Sequence, residues 1–204
     1  VMATRRGLIK KTAVAEFDSI RKNGKIAINL NEGDELISVQ VSSGDDEILA
    51  ASYEGKCIRF SEKDVRPMGR DTQGVKSMTL VDDYVVDMAV IKEGYEILTM
   101  TENGYGKRSD VEDYRLQQRS GKGIKAGNFN EKTGKLVALK LISDAEDVMI
   151  ITSAGIIIRV RANDISRIGR DTQGVRIMRI DDSIVSSVAI TPKDEDEDGS
   201  ETAT

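Results

Sequence analysis

The feature that most constrains this chain is repetition. Gly7, Gly55, Gly104 and Gly155 are separated by 48, 49 and 51 residues, and a second series, Gly24, Gly74, Gly123 and Gly174, follows at 50, 49 and 51. A period near fifty is the mark of an array in which one supersecondary unit cannot bury its own apolar face and neighbours supply the core. Around the first glycine of each unit, an apolar run such as Ile97-Leu98-Thr99-Met100-Thr101 meets a short turn, Asn103-Gly104, and then a second β-rich run. That pattern predicts a hairpin. A second strand pair is expected after the later glycine, as in Val75 to Leu80 and Val85 to Val90, with Asp82-Asp83 between them. Each unit then holds about four strands, and the fold class is all-β and propeller-like, with repeats at 1-47, 48-96, 97-147 and 148-190.

The composition removes several function classes. There is no histidine, which takes away the commonest general base and the Ser/His and Cys/His nucleophile pairs. The lone cysteine, Cys57, lies in a strand-like run and reads as a buried structural residue. No apolar stretch nears the roughly 20 residues that a membrane helix needs. The opening Val1-Met2-Ala3 run has no basic segment leading into a long apolar one, so no secretory leader is expected and the start reads as internal. No catalytic residue, metal site or cofactor is assigned.

The net charge of −5 hides an uneven distribution. Residues 191 to 204 hold one lysine and six acids, which leaves 29 basic and 29 acidic residues in 1 to 190. The run Asp194-Glu195-Asp196-Glu197-Asp198 has no apolar face and is expected to be a disordered acidic tail. It is either a solvated end or a polyanion that competes with nucleic acid for nearby cations.

Within the units the charges segregate. The basic stretch runs from the first glycine to just past the second. It holds Lys10, Lys11, Arg21, Lys22 and Lys25, then Arg59, Arg66, Arg70 and Lys76, then Lys107, Arg108, Arg115, Arg119, Lys122 and Lys125, then Arg159, Arg161, Arg167, Arg170, Arg176 and Arg179. Acids gather elsewhere, at Glu32, Asp34 and Glu35, at Asp45 to Glu47, and at Asp82 and Asp83. In a radial repeat equivalent positions share a radius, so these cations, Arg179 aside, are candidate phosphate ligands on one rim. Duplex DNA is the expected partner, because aromatic side chains for stacking on single strands make up only 4% of the chain.

Two strings sharpen the reading. Gly69-Arg70-Asp71-Thr72-Gln73-Gly74-Val75 and Gly169-Arg170-Asp171-Thr172-Gln173-Gly174-Val175 are identical and lie 100 residues apart. With Ala3-Thr4-Arg5-Arg6-Gly7, Arg66-Pro67-Met68-Gly69-Arg70 and Thr101-Glu102-Asn103-Gly104-Tyr105-Gly106-Lys107-Arg108, the chain resembles the C-terminal, DNA-wrapping domain of bacterial DNA gyrase A. The resemblance covers residues 1 to about 190. It implies a β-pinwheel whose blades exchange strands, with about four blades present of a usual six. It implies DNA bent round a basic rim to direct negative supercoiling by a type IIA topoisomerase. The family's Gln-Arg-Arg-Gly-Gly-Lys-Gly heptapeptide is not present as such; Gln118-Arg119-Ser120-Gly121-Lys122-Gly123 is a degenerate relative in the equivalent loop.

The implied partners are duplex DNA and, in a heterotetramer, the core of gyrase A together with gyrase B. Neither a membrane nor a small-molecule substrate is expected. ATP and Mg2+ would act elsewhere in the complex, which is cytoplasmic and nucleoid-associated. Two alternatives stand beside this reading: the corresponding domain of topoisomerase IV, and a propeller-like scaffold for protein partners. For the ends, the run Ile184 to Ile190 is a candidate neighbour of Val1 to Thr4.

Overall fold

In the computed structural model, which describes residues 1–19 and 21–193, the chain is a succession of short antiparallel strands. In order they are β1 (Met2–Thr4), β2 (Leu8–Lys10), β3 (Leu36–Val39), β4 (Glu47–Ser52), β5 (Lys56–Ser61), β6 (Val75–Lys76), β7 (Val85–Val90) and β8 (Glu96–Thr101). Then come β9 (Tyr105–Ser109), β10 (Ile124–Lys125), β11 (Leu136–Ile142), β12 (Glu146–Thr152), β13 (Ile157–Arg161), β14 (Val175–Arg176) and β15 (Val185–Pro192). Short 3-10 turns follow β2, β5, β9 and β13. Among the described residues no helix is long and apolar enough to cross a membrane.

The first glycine of each repeat makes the hairpin. Gly7, Gly55, Gly104 and Gly155 all have φ between +79° and +87°, the left-handed region that a Cβ disfavours. Each turn is closed the same way: the Gly55 amide donates to the Ser52 carbonyl at 3.0 Å, and the Ser52 hydroxyl accepts from the Lys56 amide at 3.1 Å. Thr4, Thr101 and Thr152 repeat the device with Leu8, Tyr105 and Ile156. The hydroxyl residue is as much part of the repeat as the glycine.

The second glycine marks where repeats interlock. The expected strand after it, Val75 to Leu80, shrinks to the two residues of β6, which leave their own repeat and pair with β2, Leu8 opposite Lys76 and Ile9 opposite Val75. β10 joins β5 and β14 joins β9 in the same manner. The sheets are therefore β3-β1-β2-β6, β7-β4-β5-β10, β11-β8-β9-β14 and the three-stranded β15-β12-β13. In the first three sheets the outermost strand comes from the next repeat. A Cβ on Gly74 would lie 2.6 Å from the Ile9 carbonyl oxygen, on Gly123 2.4 Å from that of Cys57, and on Gly174 2.9 Å from that of Gly106. Only glycine lets the lent strand lie that close. Gly24 has nothing within 4 Å.

The inner strands β3, β7, β11 and β15 neighbour one another in turn and line a central cavity of about 350 Å³, with Ile37, Val85, Val137 and Val185 on its wall. The apolar cores lie between successive sheets: Ile9, Ile48, Ile58 and Phe60 in one, Leu49, Cys57, Leu136 and Leu139 in the next, Leu98, Ile150, Ile165 and Val185 in the third. Asp87 and Lys140, 3.0 Å apart, tie β7 to β11. Cys57 is fully buried, and that burial pushes its thiol up to about 12, so it is the inert core residue that its surroundings predict.

Two expectations about the ends are corrected. The last run does not lie beside the first: β15 pairs with β12, whereas β1 is flanked by β2 and β3 on its two edges. β15 also continues past residue 190 to Pro192, and the Lys193 amide donates to the Ala145 carbonyl at 3.1 Å. The acidic run at 194–204 lies outside the described residues.

Candidate nucleic-acid interface

The cations sort by their position in the repeat, and three positions turn out to hold the protein together. Four residues after the hairpin glycine stand Lys11, Arg59, Arg108 and Arg159. Arg59 Nε donates to Glu47 at 2.5 Å, Nη1 to the Val111 and Tyr114 carbonyls at 3.0 Å, and Nη2 to Glu112 at 3.2 Å. Arg108, 2% exposed, binds Glu96, Asp144 at 2.7 Å and the Ala162 carbonyl at 2.9 Å. Arg159 meets Asp147 at 2.8 Å and the Pro192 carbonyl at 2.7 Å, and Lys11 meets Glu62 at 3.4 Å. Arg59, Arg108 and Arg159 each pair with an acid on the opposite strand of their own hairpin. Arg59 and Arg108 also reach the 3-10 turn of the next repeat. Arg59 and Arg108 are thus corrected: they are buried ion-pair residues whose guanidinium groups are engaged within the fold.

One position earlier, Lys10 and Lys107 are also buried, at 0% and 1% exposure. The Lys10 ammonium donates to the carbonyls of Ala27 at 2.8 Å, Gly69 at 3.0 Å, Arg70 at 2.6 Å and Thr72 at 3.4 Å. Lys107 donates to those of Gly169 at 3.5 Å, Arg170, and Thr172 at 2.8 Å. Burial and the nearby Arg170 push Lys107 down to about 8. An ammonium whose donors are consumed by carbonyls has none for a phosphate, so both residues leave the list of direct ligands.

The loop arginines are clips. Arg70 donates to the Ile26 carbonyl at 2.9 Å, Arg119 to that of Lys76, and Arg170 to that of Lys125. In every case the acceptor is the second residue after the previous repeat's second glycine. Arg119 and Arg170 add bonds to the Asp64 and Asp113 carbonyls at 3.1 and 2.8 Å. Arg167, more than half exposed, is held by Glu96 at 2.9 Å and Asp144 at 2.6 Å. Lys25 turns back to the Glu16 and Asp18 carbonyls.

Also exposed at the surface are Arg21, Lys22, Arg66, Lys76, Arg115, Lys122, Lys125, Arg161 and Arg176. Lys76, Lys125 and Arg176 are equivalent, each the second residue of a lent strand at the outer edge of its sheet. Arg176 stacks toward the Tyr105 ring and bonds its hydroxyl at 3.0 Å. Lys125 lies directly opposite Lys56 in the ladder, and both are exposed. Like charges opposed across strands repel, and an anion between them would relieve the repulsion. Lys56 was not among the candidates read from sequence, because its partner comes from a two-residue strand of the next repeat. Among the described residues no three His, Cys, Asp or Glu side chains come together as metal ligands would.

The fifty-residue period and the all-β array coincide with one known family. The family model described as the DNA gyrase C-terminal domain, beta-propeller, matches four times in succession, over residues 1–43, 46–92, 95–143 and 146–192. The chain belongs to the DNA gyrase C-terminal domain family. It is 48% identical over 202 residues to the DNA gyrase A protein of Staphylococcus aureus strain MRSA252, a match covering 97% of this chain and 23% of that protein. It is 46% identical to the gyrase A of strain NCTC 8325, covering 98% and 23%. The chain thus spans about a quarter of the length of these relatives. A solved gyrase A C-terminal domain superposes with a TM-score of 0.83 at 28% identity, over 93% of this chain and 64% of the other. The C-terminal domain of DNA topoisomerase IV superposes with a TM-score of 0.86 at 22% identity, over 94% and 61%, which speaks to the shared fold. As a gyrase C-terminal domain the chain is an all-β propeller-like array with strand exchange, as its sequence resemblance implied.

Proposed function

We propose that this chain binds duplex DNA along its outer edge and bends it, as a part of a type IIA topoisomerase whose strand passage it biases toward negative supercoiling. The observation that carries the reading is the recurrence of Lys76, Lys125 and Arg176, exposed and equivalent, on three successive lent strands. A duplex following that edge meets a cation at each of the first three sheets. Arg66, Arg115 and Lys122 lie in the adjoining loops, and Lys56 faces Lys125. Contacts of this kind read the backbone and leave base sequence unread.

Bending a short duplex costs on the order of 1 to 6 kcal/mol, so contacts must be spread over several blades to offset it. The repeats taken as the working unit are 1-47, 48-96, 97-147 and 148-190, with the acidic run after them as a candidate competitor for the same cations. Identity at the 46–48% level is to gyrase A, which favours gyrase over topoisomerase IV. In that setting the partners are the gyrase A core and gyrase B, ATP and Mg2+ act outside this chain, and the complex works in the cytoplasm on the nucleoid.

A salt titration of duplex binding, followed by fluorescence anisotropy on short and long duplexes, tests the proposal. Affinity that rises with duplex length and falls steeply with salt is expected, since each neutralised phosphate contributes about 0.9 to the slope of log affinity against log salt. Weak binding without dependence on length would overturn wrapping and favour the scaffold reading.

A further inference from the structure

The side chain three residues after the hairpin glycine alternates: Lys10, Ile58, Lys107, Ile158. Lys10, Ile58 and Lys107 each face the loop of the following repeat, and the residue type tracks that loop. Lys10 and Lys107 lie under the two Gly-Arg-Asp-Thr-Gln-Gly loops, at 69–74 and 169–174. Ile58 lies under Gln118-Arg119-Ser120-Gly121-Lys122-Gly123, where a Cβ on Gly121 would come within 3.5 Å of Ile58 Cδ1.

The two loop types differ in backbone as well as in sequence. Ser120 has a φ of +72°, whereas its equivalents Asp71 and Asp171 are not among the positive-φ residues. A buried ammonium has three donors to satisfy, and the Gly-Arg-Asp-Thr-Gln-Gly loop meets them by turning the carbonyls of its first, second and fourth residues inward. Thr72 and Thr172 brace the arrangement, each hydroxyl donating to the carbonyl of the loop's first glycine at 2.8 Å. The Asn29 and Asn128 amides bond the Thr72 and Thr172 carbonyls at 2.9 and 3.0 Å. In a trans peptide the amide of the next residue points away from the carbonyl. The amides of Asp71, Gln73, Asp171 and Gln173 therefore face outward, and none donates to an acceptor among the described residues. An isoleucine offers no donor to gather carbonyls, and the 118–123 loop folds against it with the tighter, positive-φ turn.

We propose that Lys10 and Lys107 are positioning residues of the DNA-facing edge: each ammonium holds a Gly-Arg-Asp-Thr-Gln-Gly loop with its amides toward the phosphates. Lysine with that loop, and isoleucine with the Gln-Arg-Ser-Gly-Lys-Gly loop, are coupled choices. The orienting role toward phosphate rests on the DNA-binding reading above; the coupling of side chain to loop does not.

The test uses the 204-residue chain in three forms beside the original. They are Lys107→Ile, Lys10→Ile, and Lys107→Ile combined with G169Q, D171S, T172G and Q173K, which converts the facing loop to the other type. Hydrogen exchange of the Asn128 and Arg170 amides, or of the Asn29 amide for the first loop, reads loop order without DNA. Each single variant should speed exchange there by at least about tenfold while β8 and β9 stay protected, and should weaken duplex binding through the lost amide contacts. The combined variant should restore Asn128 protection. Unchanged exchange in both single variants, or a combined variant no more ordered than Lys107→Ile, overturns the coupling. If Lys107→Ile unfolds outright, recovery of folding in the combined variant supports the proposal and failure to recover overturns it. If the original chain binds no duplex, the DNA reading fails and the exchange data still decide the coupling.

Discussion

Arg108 and Lys125 stand seventeen residues apart in one repeat, carry the same charge, and have opposite fates. Arg108 is sealed among Glu96, Asp144 and the Ala162 carbonyl, whereas Lys125 stands in solvent opposite Lys56. The second repeat shows the same division, with Arg59 inside and Lys76 outside. The comparison teaches that a basic repeat does two jobs with one residue class, and that position relative to the two glycines decides which. Buried hairpin cations hold blades to one another; lent-strand cations stand exposed at the outer edge.

The division is open to direct attack. Arg108→Ala should do the greatest damage, because it empties the buried guanidinium site that bonds Glu96, Asp144 and the Ala162 carbonyl; the loss is read as a lower urea midpoint. If it instead weakens DNA binding at full stability, the division is wrong. Next comes Gly123→Ala, which affects both classes at once. Its φ of +72° and the 2.4 Å approach to the Cys57 carbonyl should expel β10 and with it Lys125, at a cost of about 2 kcal/mol, while Gly24→Ala, with open space around it, should cost less. Both are measured by thermal unfolding. For Lys125→Ala and Lys76→Ala the stability change should stay within about 0.5 kcal/mol, yet each should take about 0.9 off the salt slope of duplex binding. A slope that does not move would return these lysines to the class of solubility charges.

The smallest effect is on acid stability. Hydrogen bonds from Arg108 and Arg167 hold the Asp144 carboxyl below its usual value of 3.8. The stabilisation is therefore fully present above that value and is lost as pH falls through the lower, folded one. Urea midpoints taken from about pH 5 down to about pH 2 should fall less steeply for Asp144→Asn than for the original chain.

Much of this was legible beforehand. The period, the hairpin glycines, the β class and the family resemblance all follow from residues that recur in register. Strand exchange does not, because β6, β10 and β14 are two residues long and no alternation of apolar and polar can be read from two residues. The fate of individual cations was hidden for a related reason. Ile9-Lys10-Lys11 and Lys107-Arg108 look like any basic strand, and only the neighbouring repeat, which brings the carbonyls of 69–72 or that of Ala162, reveals that Lys10, Lys107 and Arg108 are buried. The one legible hint was the alternation of lysine and isoleucine in step with the loop types, a covariation within a single chain.

Lending a strand backward also puts the unit of the gene out of phase with the unit of the fold. A sheet is completed by residues encoded one period downstream, so a duplication or loss of a whole period leaves every sheet but the last with a lender wherever the cut falls. A fractional period does not. If lysine and isoleucine must each meet their own loop, the permitted step is longer still. Losing one repeat would set Lys10 over a Gln-Arg-Ser-Gly-Lys-Gly loop, whereas losing two returns it to a Gly-Arg-Asp-Thr-Gln-Gly loop. Arrays of this kind would then grow and shrink most easily by pairs of blades.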